Sequence, residues 1–279
     1  MKTILITGTS SGIGKAISKY FSEKGWNVIA TMRSPEKELE LTKLEKAFVT
    51  KLDVEQEETI KEAIAKGIDH FGKIDVVVNN AGYGTHGIFE AVTNQQIQRQ
   101  FSVNVFGLMK VTKAILPHFR TNKAGLIINI SSMGGRLTIP TMSLYHSTKF
   151  AVEGFSEALT YELASQNIHI KLVEPGYIRT DFTGRSMDYY FDDSLTDYKE
   201  FVDAYRAAQK RMMSGPDRGG APEMVAEVVY QAATDGSEQL RYPVGEDALT
   251  YANLKAESGD EAYLHYISEM YGLPVKRQI

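Results

Sequence analysis

Short apolar runs recur along the chain, separated by longer segments whose apolar positions return every three or four residues. The first, Ile4-Leu5-Ile6 within Lys2 to Thr7, stops at a glycine-rich turn, and beyond it Ala16, Ile17, Tyr20 and Phe21 keep helical spacing. Further runs at Trp26 to Met32, Ala47 to Val54, Ile74 to Asn79, Leu126 to Ser131, Ile168 to Glu174 and Gln239 to Val244 bring the strand signals to about seven. Strands alternating with helical segments predict a parallel sheet with helices on both faces. No repeat, low-complexity tract or Pro/Gly/Ser-rich linker divides residues 1–279, so the pattern predicts one domain.

Two stretches break this regularity. From Tyr145 to Leu163 the residues Val152, Leu159 and Leu163 share a helical stripe, and Tyr145 and Lys149 fall on the same stripe at its N-terminal end. A lysine on a face that a helix buries needs a partner or a task. The second stretch follows the strand ending near Glu174. Residues 183–221 carry Tyr189, Tyr190, Phe191, Tyr198, Phe201, Tyr205, Met212 and Met213, then the breaker run Ser214 to Gly220. An insertion of that length is expected to be a lid or binding loop, with a helix over Leu195 to Met213 and the next helix at Pro222 to Ala233.

Composition narrows the chemistry. The net charge of −4 and pI near 5.9 leave no basic footprint for nucleic acid. Without cysteine there is no disulfide, thiolate nucleophile or thiolate metal ligand. The six histidines show no ligand spacing, so no metal site is expected. No signal-peptide order and no run of membrane-spanning length appears, and a cytoplasmic setting is expected.

The turn Thr7-Gly8-Thr9-Ser10-Ser11-Gly12-Ile13-Gly14 lies between the first strand and first helix, where free backbone N–H groups and the helix N-terminus attract a phosphate. Glycines let the backbone approach a pyrophosphate and pack the helix on the strand. The end of the second strand then addresses the ribose 2′ position. It reads Thr31-Met32-Arg33, with no carboxylate for a free hydroxyl, which predicts NADP(H) over NAD(H), with Ser10 adding a hydroxyl contact. An ordinary solvated loop charge is the simpler alternative for Arg33.

Together with Asp53-Val54, Asn79-Asn80-Ala81-Gly82, Asn104 in Val-Asn-Val-Phe-Gly, Ser131-Ser132, Tyr145-x-x-x-Lys149 and Pro175-Gly176 followed by Thr180, this turn resembles the short-chain dehydrogenase/reductase family in its short, single-domain form. The ordered matches run from residue 2 to about 245. They imply a Rossmann-type, doubly wound α/β fold. Tyr-x-x-x-Lys alone is unspecific, since Tyr20/Lys24 and Tyr251/Lys255 repeat it and read as surface pairs; only Tyr145 has a serine thirteen residues ahead at a strand end.

Hydride exchange between a nicotinamide and a carbonyl carbon needs a proton at the oxygen. Tyrosine titrates near 10, and a lysine one turn away, with the oxidised nicotinamide, is expected to favour the phenolate. Ser132 would polarise the carbonyl, and Ser131 misses the family spacing by one. By resemblance, Lys149 also binds the nicotinamide ribose and Asn104 holds a water linking Lys149 to solvent. The resemblance likewise assigns Gly8, Ser11, Gly12, Ile13, Gly14, Asp53, Val54, Asn80, Ala81, Gly82, Pro175, Gly176, Ile178 and Thr180 to the cofactor. Asp53 reads equally well as a turn acid, and Asn79 as a structural hydrogen-bonder. His86 and His146 receive no role.

The aromatic insertion points to an apolar alcohol or ketone as substrate, near Met133, Gly134, Tyr177 and Phe182, although these aromatics would also serve simply to pack the lid. On the opposite face of the key helix, Phe150, Gly154, Ala158 and Tyr161 predict a homodimer or homotetramer. A non-catalytic dinucleotide-sensing regulator on the same fold is the competing reading; the presence of Ser132, Tyr145 and Lys149 together argues against it. The glycine spacing and chain length argue against an epimerase or lyase-type relative.

Overall fold

The structure is a computed structural model and describes residues 1–182, 184, 186–212 and 219–273. Its centre is a seven-stranded, wholly parallel sheet. In chain order its strands are β1 (Thr3–Thr7), β2 (Asn27–Met32), β3 (Ala47–Lys51), β4 (Val76–Asn79), β6 (Gly125–Ile130), β7 (Ile168–Pro175) and β9 (Arg241–Val244). A separate parallel pair is formed by β5 (Gly84–Gly87) and β8 (Met187–Tyr190). Across the large sheet the order is β3-β2-β1-β4-β6-β7-β9. The chain thus winds outward from β1 to one edge and then returns to β4 on the other side. A doubly wound sheet opens a crevice at that switch point.

Period two explains how an unbroken apolar run serves two cores. Ile4 and Ile6 join Val28, Ala30 and Val78 in a cluster under α1 (Gly12–Glu23) and α7 (Pro222–Thr234). Leu5 joins Ile29, Val77 and Ile127 on the other face, beneath α2 (Glu57–Phe71), α4 (Leu108–Asn122) and α5 (Ser143–Leu163). All seven predicted strands are present, with ends moved by one to three residues.

Between α3 (Asn94–Phe101) and α4 the chain takes a π-helical turn over Ser102–Gly107. The predicted lid contains β8 and α6 (Lys199–Met212); Thr183, Arg185 and 213–218 of it, including Met213, lie outside the described residues. Beyond β9, where the sequence reading predicts no element, α8 (Glu246–Tyr271) breaks at Gly259 (φ 78°, ψ 173°) and packs on α6. Leu137, Tyr205, Ala208, Tyr263 and Tyr271 form that small third core, with Tyr205 stacked on Tyr271 at 5.3 Å. Among the described residues, no helix is long and apolar enough to cross a membrane.

Under the sheet edge a polar chain ties strands to α5. Asn79 Nδ2 donates to Thr112 Oγ1 (3.1 Å) and to Asn129 Oδ1 (2.9 Å); Asn129 Nδ2 donates to Ser156 Oγ (2.8 Å), whose hydroxyl donates to the Val152 carbonyl (2.7 Å). Asn79 is therefore the structural hydrogen-bonder expected. Replacing fully buried Asn129 with Leu strands its partners' polar atoms, and urea unfolding should register a loss of about 2–3 kcal/mol.

Candidate active site

The carboxyl ends of β1, β2, β3, β4, β6 and β7 open into one cavity of about 920 Å³. At the end of β1 the turn makes close backbone contacts. A Cβ on Gly8 (φ 72°) would sit 2.9 Å from Ala81 Cα, and one on Gly14 would sit 2.4 Å from the Gly8 carbonyl. Asn80 Nδ2 donates to the Thr7 and Gly8 carbonyls (2.9 and 3.0 Å), while Thr7 Oγ1 accepts the Asn80 and Ala81 N–H groups (both 3.0 Å). This interlock builds a cradle for a phosphate at the start of α1.

The predicted cofactor residues gather around it. Ser10, Ser11, Gly12 and Ile13 line the cavity with Gly8 and Gly14, and Arg33 lies there at the end of β2. Asp53, Val54, Asn80, Ala81 and Gly82 continue the wall, and Pro175, Gly176, Ile178 and Thr180 close it from β7. Asp53 is also a turn acid, its Oδ1 accepting the Glu55 N–H at 3.1 Å. Past β2, Glu38 is engaged elsewhere: it accepts the Glu40 and Leu41 N–H groups (2.8 and 3.0 Å) and pairs with Lys15.

Ser132, Tyr145 and Lys149 meet on the opposite wall. A short 3₁₀ turn, Met133–Gly135, follows β6 and fixes Ser132, whose Oγ accepts the Gly134 N–H at 3.0 Å and hydrogen-bonds the Tyr145 phenol. Lys149 Nζ donates to the Ile130 carbonyl at 2.9 Å and lies 5.7 Å from the Tyr145 ring centre. Both side chains line the cavity and are part-buried, and burial is the largest influence on each polar head. Burial pushes Tyr145 up to about 12, against the opposing Ser132 hydrogen bond, and pushes Lys149 down to about 8 against the pull of Glu153. The protein by itself therefore holds Tyr145 as a phenol. The sequence expectation of a lowered tyrosine counts the positive charge of an oxidised nicotinamide beside that of Lys149; in the protein alone, burial dominates the phenol.

Asn104 lies against the cavity wall, its Oδ1 3.2 Å from a Cβ built on Gly82. It sits buried on the π-helical turn, its Oδ1 accepting the Tyr83 N–H (3.0 Å) and its Nδ2 donating to the Tyr83 carbonyl (2.8 Å) and Thr148 Oγ1 (3.2 Å). Ser131 Oγ is buried without a hydrogen bond. His146 proves structural: its Nε2 accepts the Ile139 N–H (3.0 Å), which fixes the proton on Nδ1, where it donates to the Gly134 carbonyl (2.8 Å).

The predicted pocket residues Met133, Gly134, Tyr177 and Phe182 all line the cavity, with Phe182 edge-on to Tyr145 at 6.0 Å. Of the aromatics in residues 183–221, Tyr189 and Tyr205 line the cavity, and Tyr189 also packs against His86 (5.4 Å). Many other lining residues carry no site role in the sequence reading, among them His86, Asp247 and Tyr251. His86 sits on β5 bonded to Tyr205 OH (2.9 Å), and burial lowers it to about 4. Asp247 accepts the Tyr177 N–H at 2.6 Å and abuts Gly176, where a Cβ would be 2.1 Å from its Oδ1. Tyr251 belongs to the third core, so its pair with Lys255 is not a plain surface pair. Lys24, by contrast, simply covers the Tyr20 ring at 5.0 Å. Only the aromatic character of Tyr251 and the acid at the start of a helix were visible signals.

Comparisons place this geometry among known proteins. A family profile described as short chain dehydrogenase matches residues 2–190. An uncharacterized oxidoreductase of Schizosaccharomyces pombe is 40% identical over 87% of this chain and 100% of its own length. A 3-ketodihydrosphingosine reductase of Bacteroides thetaiotaomicron is 37% identical over 87% of each. A short-chain dehydrogenase structure from Streptomyces avermitilis superposes with a TM-score of 0.81 at 33% identity, covering 97% of this chain and 98% of that one. ElxO with NADP bound (TM-score 0.72, 28% identity, 89% and 99% covered) and a 3-ketoacyl-(acyl-carrier-protein) reductase from Brucella melitensis with NADH (0.70, 25%, 87% and 96%) show that neighbours carry either dinucleotide. The profile match, the relatives and the sheet topology together establish the chain as an oxidoreductase of the short-chain dehydrogenase family.

Proposed function

We propose that this oxidoreductase exchanges hydride between NADP(H) and the carbinol or carbonyl carbon of an apolar alcohol or ketone. The observation that carries the reading is the convergence of Ser132, Tyr145 and Lys149 on one wall, facing a glycine cradle at the sheet's switch point. The dinucleotide, when bound, supplies or takes up the hydride. Gly8, Ser11, Gly12, Ile13 and Gly14 would hold its phosphates, Asp53 and Val54 its adenine end, and Asn80 to Gly82, Lys149, Pro175, Gly176, Ile178 and Thr180 its nicotinamide half.

The phenol of Tyr145, kept protonated by burial, is suited to give its proton to a carbonyl oxygen during reduction. Ser132 holds that oxygen as a neutral donor. Lys149 keeps its ammonium below about pH 8, so its support of a phenolate is present in neutral solution and fades as pH rises through that value. Asn104 acts in this scheme by fixing the Tyr83 backbone and the start of α5 through Thr148. Met133, Met187, Phe182 and Tyr177 give the pocket its apolar surface. A relative named for a keto substrate is in keeping with this.

The NADP preference rests on Arg33 at the cavity wall and on the strand end Thr31-Met32-Arg33, which carries no carboxylate. We further read residues 183–221 as the lid of a one-domain enzyme, a cytoplasmic setting from composition, and assembly as a homodimer or homotetramer. The outer face of α5 supports assembly: Tyr161 is 79% exposed, Phe150 40%, and nothing lies within 4 Å of a Cβ built on Gly154.

Tyr145→Phe is expected to lower kcat for NADPH-dependent reduction of hydrophobic ketones by about 10²–10⁴-fold while leaving NADPH affinity, read by fluorescence titration, within a few-fold. Equal turnover by both proteins would refute the acid role. Arg33→Ala should raise Kd for NADPH about 10–100-fold and leave that for NADH nearly unchanged, as loss of a charged hydrogen bond requires; equal losses would reverse the cofactor assignment. Light scattering on Gly154→Glu should report a smaller mass than wild type, and an unchanged oligomer would remove this face from the interface.

A further inference from the structure

Directly behind Lys149 lie two buried acids. Glu153, one turn further along α5, is 5% exposed, and Glu174, the residue before Pro175 on β7, is 1% exposed. Arg241 on β9 serves both, with Nε 2.9 Å from Glu153 Oε2 and 3.3 Å from Glu174 Oε1. Its Nη2 reaches Glu157 at 2.6 Å, and Arg136 stands 3.8 Å from Glu174 Oε2. Despite these cations, Glu153 Oε1 and Glu174 Oε1 are each buried with no N–H or O–H donating to them. The two carboxyl groups are in side-chain hydrogen-bond contact with one another. One proton between them satisfies both orphaned oxygens, and two adjacent buried carboxylates would otherwise repel.

The pair touches the elements that carry the reacting side chains. A Cβ on Gly135, in the turn that fixes Ser132, would lie 2.8 Å from Glu153 Cγ and 3.1 Å from the Lys149 carbonyl. Arg136 leaves that turn and pairs with Glu174, whose backbone leads into Pro175-Gly176 at the nicotinamide end of the cavity. We propose that Glu153 and Glu174 are positioning residues that share one proton, locking together the Ser132 turn, the Lys149 helix and the end of β7, and holding a single negative charge behind the Lys149 ammonium. This rests on the reading of Ser132, Tyr145 and Lys149 as the reacting set.

The charged groups facing the pair are Lys149 and Glu157 on α5, Arg241 on β9 and Arg136 after the 3₁₀ turn. Burial and the neighbouring Glu153 outweigh both arginines and raise Glu174 to about 7. A group whose folded pKa is raised in this way binds more protons folded than unfolded, so its share of stability falls as pH climbs from 4.5 through about 7.

The test is a pH titration of the cofactor-free protein with glutamate carboxyl carbons labelled with ¹³C. Wild type should show a carboxyl that titrates near neutrality, and Glu174→Gln or Glu153→Gln should abolish it; if every glutamate titrates below about pH 5, the shared proton does not exist. In NADPH-dependent reduction of a hydrophobic aryl ketone, Glu174→Gln, which can still donate to Glu153, should retain kcat within a few-fold. Glu174→Leu should lose about tenfold or more, and Glu153→Gln should move the Lys149 limb of the pH profile down by about one unit. Profiles that superimpose on wild type would overturn the positioning role. The titration needs no turnover, so a protein inactive on all ketones would sink the oxidoreductase mechanism and leave the pair to be judged by its own carboxyl signal.

Discussion

The interlock between the ends of β1 and β4 is the constraint on which the rest of the structure depends. Gly8 lies against Ala81 too closely for any side chain, and Asn80 and Thr7 exchange hydrogen bonds across the gap. These contacts occur where the winding of the sheet reverses, so both neighbouring strands can present their ends without a helix covering them. The N–H groups left free at the start of α1, the placement of Gly14 beneath them and the crevice itself all follow from this one close approach.

Much of this was legible beforehand because it is written locally. Seven apolar runs, the glycine spacing and the Ser132, Tyr145, Lys149 order locate the sheet and bring the predicted pocket residues to one cavity. What escaped depends on distant partners. The run Gly84-Thr85-His86-Gly87 has no apolar alternation and becomes a strand only because Met187 to Tyr190, a hundred residues later, pairs beside it. Asn104 matches its motif, yet its carboxamide is spent on the Tyr83 backbone, which no spacing predicts. The buried acids Glu153 and Glu174 look like surface residues on a helix and a strand until Arg241 arrives from β9.

Electrostatics around Tyr145 show why residue lists understate a site. Enclosure acts on the phenol and on the ammonium in opposite senses, raising one and lowering the other, so the neutral forms of both are favoured. Glu153 opposes the drift of the lysine, favouring its charged form. The reactive face is therefore balanced by groups that never touch the cavity mouth.

The small β5–β8 sheet has a mechanical consequence. Tyr83 immediately precedes β5, and Asn104 clamps its backbone while also gripping Thr148 of α5. On the other side, a Cβ at Gly87 would collide with the Tyr190 backbone, so the two strands are seated without clearance. The strand pair that gives His86, Met187 and Tyr189 to the cavity lining is thereby bolted to the same helix that carries Tyr145. Strands tied down on both sides do not swing as a free flap, so any shift of the β5–β8 pair is coupled through Asn104 to α5.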